Sequence, residues 1–449
     1  MKTSWFYIAA LSVSLRLIAA PQSDEDFVAH EWGTFTSVQG ADGVQMTWNP
    51  FIRTDLPGFV YSRGLAANYG WRLSDYLMKG DMMTVVRMET PVIYFYSGEA
   101  RTVDVTVKFP QGRVTEWYPQ ATTFGPSLVV NAADKSATPQ SLIEWKGLDI
   151  LPRDTKEISA AKLIREKGEN HYYEARATDA NFLRMQSPKA KGTEYERDLF
   201  YRGAGNFQAP LRLNLLVGDT LRLTTTNAES MSDLFVLTIR NGMGRYQYVD
   251  RVAVGEPREV QLNERAFAPL SDVREQIMRE MAAALVKQGL YEREATAMVN
   301  TWKHQWFTEE GVRALYILPR TWTDRMLPLT ITPAPNQVAR VMVGRAELIT
   351  PTMELTLSKQ VARYVSGDKA LQAQAIGEVR ALGLGRFLEP ATRRIVSGKV
   401  DKAFTDAAWK VARIVSNGEV KSPAVVDQTP LPPVIEVRKT ASLDGRFAY

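Results

Sequence analysis

Apolar and polar residues alternate through most of the first 262 positions, and this period of two predicts strands. From Phe27 the chain runs Val28-Ala29-His30-Glu31-Trp32-Gly33, then Thr34-Phe35-Thr36-Ser37-Val38. The β-branched and aromatic residues after Gly33 suit a pleated, half-buried surface. Turn-forming residues at 39–43 join this strand to Val44–Trp48, its expected hairpin partner. Val85–Tyr96 is strongly β, and its Pro91, lacking an N–H, calls for an edge or a bulge. Strands follow at Val103–Phe109, Val114–Tyr118, Leu142–Trp145, Asn170–Arg176 and Leu199–Arg202. Leu211, Leu213, Leu215 and Val217 alternate into Gly218-Asp219, and Leu221 and Leu223 alternate out. Phe235–Arg240 meets Asn241-Gly242, which supplies the positive φ angles of a tight hairpin, and Tyr246–Val254 returns. Between these runs, 49–84 is irregular apart from a short helical stretch at Leu73–Met78, and 122–141 has no period. A connection as long as 49–84 inside a domain often carries function.

The period changes near 270. Val273, Ile277, Met281 and Leu285 form an i, i+4 stripe, with Ser271 as the expected N-cap and Gly289 as the stop. Ala295, Val299, Trp302 and Trp306 mark a second helix. Ala314–Leu318 and Arg340–Ile349 return to strand, and 357–416 is helical in pieces broken at Gly367, Gly383, Gly385 and Gly398. The predicted fold class is α+β. An antiparallel β-sandwich-like domain at 27–262 is followed at 270–355 by an αα-hairpin and further strands packed on it. A small helical bundle follows at 356–417, and the proline-rich stretch 418–449 is expected to be extended or disordered.

Residues 1–20 carry a positive start at Lys2 and a mostly apolar run ending Ala19-Ala20, the pattern of a secretory signal peptide, with Arg16 and Pro21 as departures from it. The chain has no cysteine, which excludes disulfides, a lipidated cysteine and thiol catalysis. Together these predict an exported protein, periplasmic or extracellular, with no transmembrane span once the leader is removed. Its net charge of +5 is spread along the chain without a long basic run, so no nucleic-acid partner is expected.

Three histidines limit the chemistry. A divalent metal could be held by His30, Glu31 and His171, since imidazole and carboxylate suit zinc, iron or manganese. No His-Glu-x-x-His and no His-x-His occurs. His30 and Glu31 are neighbours, so on a strand they face opposite ways unless a bulge near Gly33 intervenes. The alternative is structural: His30 hydrogen-bonded in the core and Glu31 paired with an arginine such as Arg87 or Arg176. A ligand pocket is a second expectation, drawing on Glu89, on Arg176 and Asp179 from the polar run after His171, and on Tyr201, Arg202 and Asn206. Here Arg202 and the backbone of Tyr201-Arg202-Gly203-Ala204-Gly205-Asn206 could surround an anion, although the spacing is not that of a nucleotide loop. His304 is expected as a partly exposed helix residue. Trp48, Trp71, Trp117 and Trp145 are candidates for stacking on a glycan, against the usual fate of a β-domain tryptophan in the core.

Several of these segments together resemble a family of uncharacterised exported bacterial proteins. The likeness rests on His30-Glu31-Trp32-Gly33-Thr34-Phe35-Thr36, on Glu89-Thr90-Pro91-Val92-Ile93-Tyr94-Phe95-Tyr96, and on Phe200-Tyr201-Arg202-Gly203-Ala204-Gly205-Asn206-Phe207. It extends to Thr301–Trp306 and to Leu329–Pro351, covering most of 27–355, and it implies export but no reaction. The expected function is an exported binding or scaffold protein recognising a cell-envelope component or glycan. The alternative is a metal-dependent hydrolase built on His30, His171 and a carboxylate.

Overall fold

The computed structural model describes residues 27–49, 55–62, 83–125, 141–186, 192–262 and 266–417. The expected leader at 1–20, the helical stretch at Leu73–Met78, Trp71 and the segment 418–449 lie outside the described residues.

A ten-stranded sheet is the middle layer of an α+β fold. Eight of its strands matter below: β1 (Val28–Gly40), β2 (Val86–Tyr96), β3 (Gly112–Tyr118), β4 (Leu199–Gly205), β5 (Met231–Arg240), β6 (Met243–Val252), β7 (Gly311–Ile317) and β8 (Gln337–Ile349). From edge to edge the order is Ala268–Pro269, β6, β5, β7, β8, β1, β2, β4, β3 and Tyr61–Ser62. β1 pairs parallel with β8 and antiparallel with β2. Thus β7 and β8, expected as additions packed on the β domain, lie inside its sheet. The pairing of β8 with β1 joins residues about three hundred positions apart, and no local pattern signals such a partner. Every residue of β1 and β2 is buried, because both faces of the sheet are covered.

On one face lie two smaller antiparallel sheets. One comprises Leu211–Leu216, Thr220–Thr225 and Arg258–Gln261; the other is built on Arg101–Lys108 and Leu142–Ile150. Val103, Val105, Val107, Trp145, Leu213 and Leu223 meet Ala29, Phe35 and Ile93 there. The opposite face carries the helical hairpin α1 (Leu270–Lys287) and α2 (Glu292–Phe307). Ile277, Met281, Met298 and Trp302 cover Val28, Trp32, Val92 and Tyr94. Each such fully buried aliphatic side chain contributes on the order of 2 kcal/mol. Farther along, α3 (Pro351–Val365), α4 (Lys369–Ala381), α5 (Leu388–Val396) and α6 (Lys402–Val415) form a separate core that takes in Val38, Met46, Trp48 and Ile349. Among the described residues no helix is long and apolar enough to cross a membrane.

Local expectations are corrected in three places. Val44–Trp48 is no ladder partner of β1; single bridges join Gln39 to Gln45 and Trp48 to Thr84. Asn170–Arg176 is not a strand. The Asn170 side chain accepts the Tyr172 N–H and starts a 3-10 turn at His171–Arg176. The first helix begins at Leu270, with Pro269 rather than Ser271 in the N-cap position.

Candidate functional site

The irregularities of three adjacent strand pairs fall at one level of the main sheet. Trp32 pairs with Val92 and Thr34 with Glu89, so Gly33 alone faces Thr90 and Pro91. This is a bulge on β2, and it absorbs a proline that could not donate to a central ladder. On the next strands Arg202 pairs with Glu116 and Gly203 with Val114, leaving Thr115 as the extra residue of β3. The two glycines admit these bulges. A Cβ on Gly33 would lie 2.8 Å from Pro91 Cα, and one on Gly203 would lie 2.2 Å from the Arg113 carbonyl oxygen. Thr90 has φ 46°, left-handed backbone that a β-branched residue rarely adopts. Its hydroxyl is buried and has no partner among the described residues.

Over this level, on the helix-covered face, a cleft opens. Its floor is Thr90 and Val92 from β2 and Phe200 from β4. Tyr172, Tyr173, Ala175 and Arg176 of the 3-10 turn form one wall, with Leu56, Pro57, Phe59 and Val60 opposite, and Tyr118, Glu196 and Asp198 close the rim. The cleft and the open solvent at its mouth together amount to about 430 Å³. Arg176 is held by Glu196 through three contacts, at 3.0, 3.1 and 2.5 Å. Asp198, 5 % exposed, makes no hydrogen bond or ion pair with another described residue. Burial pushes its carboxyl well above the usual range, and the neighbouring Glu196 charge pushes the same way.

Beside the cleft runs a belt of charge, buried except at Asp55, whose side chain is 41 % exposed. Asp55 meets His171 Nε2 at 3.1 Å, the Tyr172 hydroxyl at 3.2 Å and Arg202 Nη1 at 3.3 Å. Burial would raise the Asp55 pKa; the His171 hydrogen bond and the Arg87 and Arg202 charges outweigh it and hold the carboxyl well below its ordinary value. Arg202 also binds Glu116 at 3.2 Å. Next along, Glu89 accepts from Thr36 at 2.5 Å and from Arg386 at 2.9 and 3.0 Å. Burial of Glu89 is likewise overcome, by Arg386 first and then Arg87, and its pKa falls to about 2. Asp55, through its contacts, ties the segment that walls the cleft to the sheet beneath it.

The structure separates the residues proposed as metal ligands. His30 points to the helix face and meets Glu294 Oε2 of α2 at 2.7 Å. Glu31 points to the other face, to Arg340 and Tyr201, both at 2.5 Å. Its arginine is therefore Arg340, not Arg87 or Arg176. His171 Nδ1 bonds the Thr301 carbonyl, also on α2 and at 2.9 Å. Glu294 and Thr301 are seven residues apart, about 10 Å along a helix, so one ion cannot bridge the two imidazoles. Among the described residues no three His, Asp or Glu side chains are grouped to hold a metal.

Of the expected pocket residues, Arg176 walls the cleft, and Arg202 and Glu89 belong to the belt. Arg202 is fully buried and engaged by carboxylates, which leaves no room for the proposed anion. Tyr201 lies on the opposite face with Glu31. Asp179 is exposed and bonded to Arg293. The Asn206 side chain accepts the Val85 N–H at a strand end. Trp48, Trp117 and Trp145 are core residues, so none of them offers a stacking face, and His304 is exposed. Asp55, Thr90, Tyr118, Asp198 and Phe200 were not among the candidates. Asp198 ends the polar run Glu194-Tyr195-Glu196-Arg197-Asp198 and has no local mark of its own, and nothing local marks Thr90 as left-handed.

No family model and no curated protein matches the chain. Among solved structures, it is similar to the yeast delta-COP-I mu-homology domain complexed with a Dsl1 WxWxV peptide, at 7 % identity and a TM-score of 0.24, over 73 % of this chain and 98 % of that one. The same yeast domain without the peptide gives 8 % identity and a TM-score of 0.24, over 73 % and 97 %. Likeness at that level carries no fold or partner across.

Proposed function

We propose that the chain is an exported binding protein whose ligand seats in the cleft above the β2 bulge. One observation carries the reading. Asp198 is 5 % exposed with no hydrogen bond to another described residue, the Thr90 hydroxyl is buried with no partner among the described residues, and both line a space walled largely by aromatic and aliphatic side chains. Buried polar groups are normally paired. Binding sites typically combine apolar walls with a few placed polar groups, and here those groups await a partner. Export is supported by the leader pattern at 1–20 and the absence of cysteine. The ligand is then a component of the cell envelope, and the rings of Phe59, Tyr118 and Phe200 give it apolar faces to pack against. The hydrolase reading has lost its ligand set, since His30, Glu31 and His171 are engaged in three separate places.

A thermal-shift screen of soluble envelope-derived small molecules tests the proposal. At least one chemical class should raise the melting temperature of the wild type and fail to raise that of Phe200→Ala. Protection that survives Phe200→Ala, or no protection by any class, contradicts it. The mature exported chain should begin near residue 20 by N-terminal sequencing.

A further inference from the structure

Resting on that reading, we propose that the cleft takes a primary ammonium group on a narrow aliphatic chain, held by the Asp198 carboxylate and the Thr90 hydroxyl. The charge balance at Asp198 argues for a cation. Glu196 beside it is already matched by Arg176, whose Nε and Nη2 are both turned to that carboxylate. Arg197 directs Nη1 to the Ala180 carbonyl at 2.5 Å and lays its guanidinium over the Phe182 ring at 4.1 Å. Among the described residues no cation contacts the Asp198 carboxyl, although the Arg176 and Arg197 charges act on it from farther off; an unpaired buried carboxylate is costly. Burial and the Glu196 charge raise its pKa well above the usual range. A cationic ligand supplies the missing partner.

The other groups narrow the cation to an ammonium. An ammonium has three donors on a compact centre, whereas a planar guanidinium needs a wider slot. Asp198 offers two acceptor oxygens and the orphaned Thr90 hydroxyl a third. The rings of Tyr118 and Phe200 add attraction for a cation. Val92, Leu56 and Ala175 suit methylenes but offer nothing to the hydroxyls of a sugar.

Calorimetric titration of the full mature chain with n-butylammonium, n-butanol and glucose decides the matter. n-Butylammonium should saturate a single site, with n-butanol at least tenfold weaker. Asp198→Asn should weaken n-butylammonium at least tenfold while melting no lower than the wild type, because the isosteric amide removes a buried acid that had no partner. Should Asp198→Asn not fold, Thr90→Val keeps the shape, removes the second acceptor and should weaken the amine severalfold. Glucose binding without amine binding overturns the ligand class and leaves the cleft as a site. Amine binding that ignores both variants overturns the assignment to Asp198 and Thr90. If none of the three binds, the cleft holds water only and both readings fall.

Discussion

Gly33 lies against the bulged backbone of Pro91, with a Cβ at Gly33 placed 2.8 Å from Pro91 Cα and 2.9 Å from Pro91 N. Both contacts are main chain, held by ladders on either side, so neither can retreat cheaply. Gly33→Ala should therefore cost about 2 kcal/mol or more, the range of overpacking in a tight core. Gly244→Ala is the control. Its nearest obstacle is the end of the Leu270 side chain at 3.2 Å, which can move. Urea denaturation of both variants gives the comparison, and equal costs would show that the Gly33–Pro91 approach is not tight.

Thr90 should invert a familiar order. In a strand interior glycine is normally worse than alanine by about 0.5–1 kcal/mol. At φ 46° a Cβ is itself the problem, at a cost of about 1–2 kcal/mol. Thr90→Gly and Thr90→Ala both delete the hydroxyl and the methyl, so their difference isolates the backbone. Thr90→Gly should be the more stable by about 1 kcal/mol in chemical denaturation. Alanine equal to or better than glycine would mean the left-handed conformation carries no strain.

Glu89 links the main sheet to Arg386, which precedes α5 in the C-terminal helices. Its folded pKa of about 2 lies below the ordinary carboxylate value of 4.5. A depressed carboxylate pKa stabilises the fold fully above the unfolded value. That contribution is lost as pH falls from about 4.5 towards about 2. The shift corresponds to about 3 kcal/mol at most. Glu89→Gln should thus be destabilised relative to wild type at pH 7, with the gap narrowing steadily below pH 4.5. Parallel stability-versus-pH curves for the two proteins would contradict this role.

Strand alternation was enough to place His30 and Glu31 on opposite faces of β1, and they point to Glu294 and Arg340 accordingly. Proline chemistry was enough to expect an edge or a bulge at Pro91, and a bulge is found. The apolar periods at 270–306 foretold the helical hairpin. What local pattern could not convey was partnership at long range. β1 sits beside β8, and the charge belt assembles from Thr36, Asp55, Glu89, Glu116, Arg202 and Arg386, of which only Glu89 and Arg202 stand out in the sequence. The cleft was missed for a further reason. Asp198 and Thr90 matter because they lack partners among the described residues, and that is a property of the folded chain alone.

The last prediction concerns His30, which binds no metal in this reading but docks a helix. Its Nδ1 meets Glu294 at 2.7 Å, and the second oxygen of Glu294 accepts from the Tyr96 hydroxyl at 2.8 Å. Glu294 also accepts the Tyr291 N–H at the start of α2, so one buried carboxylate gathers β1, β2 and the helix. Deleting the imidazole leaves that carboxylate short of a partner where water cannot replace it. His30→Ala should cost about 3 kcal/mol. Asparagine places an amide N–H where Nδ1 stood, whereas glutamine reaches the position of Nε2, which has no partner among the described residues. His30→Asn should therefore recover more of the loss than His30→Gln. Because the bond is within the protein, a chelator should leave the wild-type melting temperature unchanged. A chelator that lowers it to the level of His30→Ala, or glutamine outperforming asparagine, would return His30 to the role of a metal ligand.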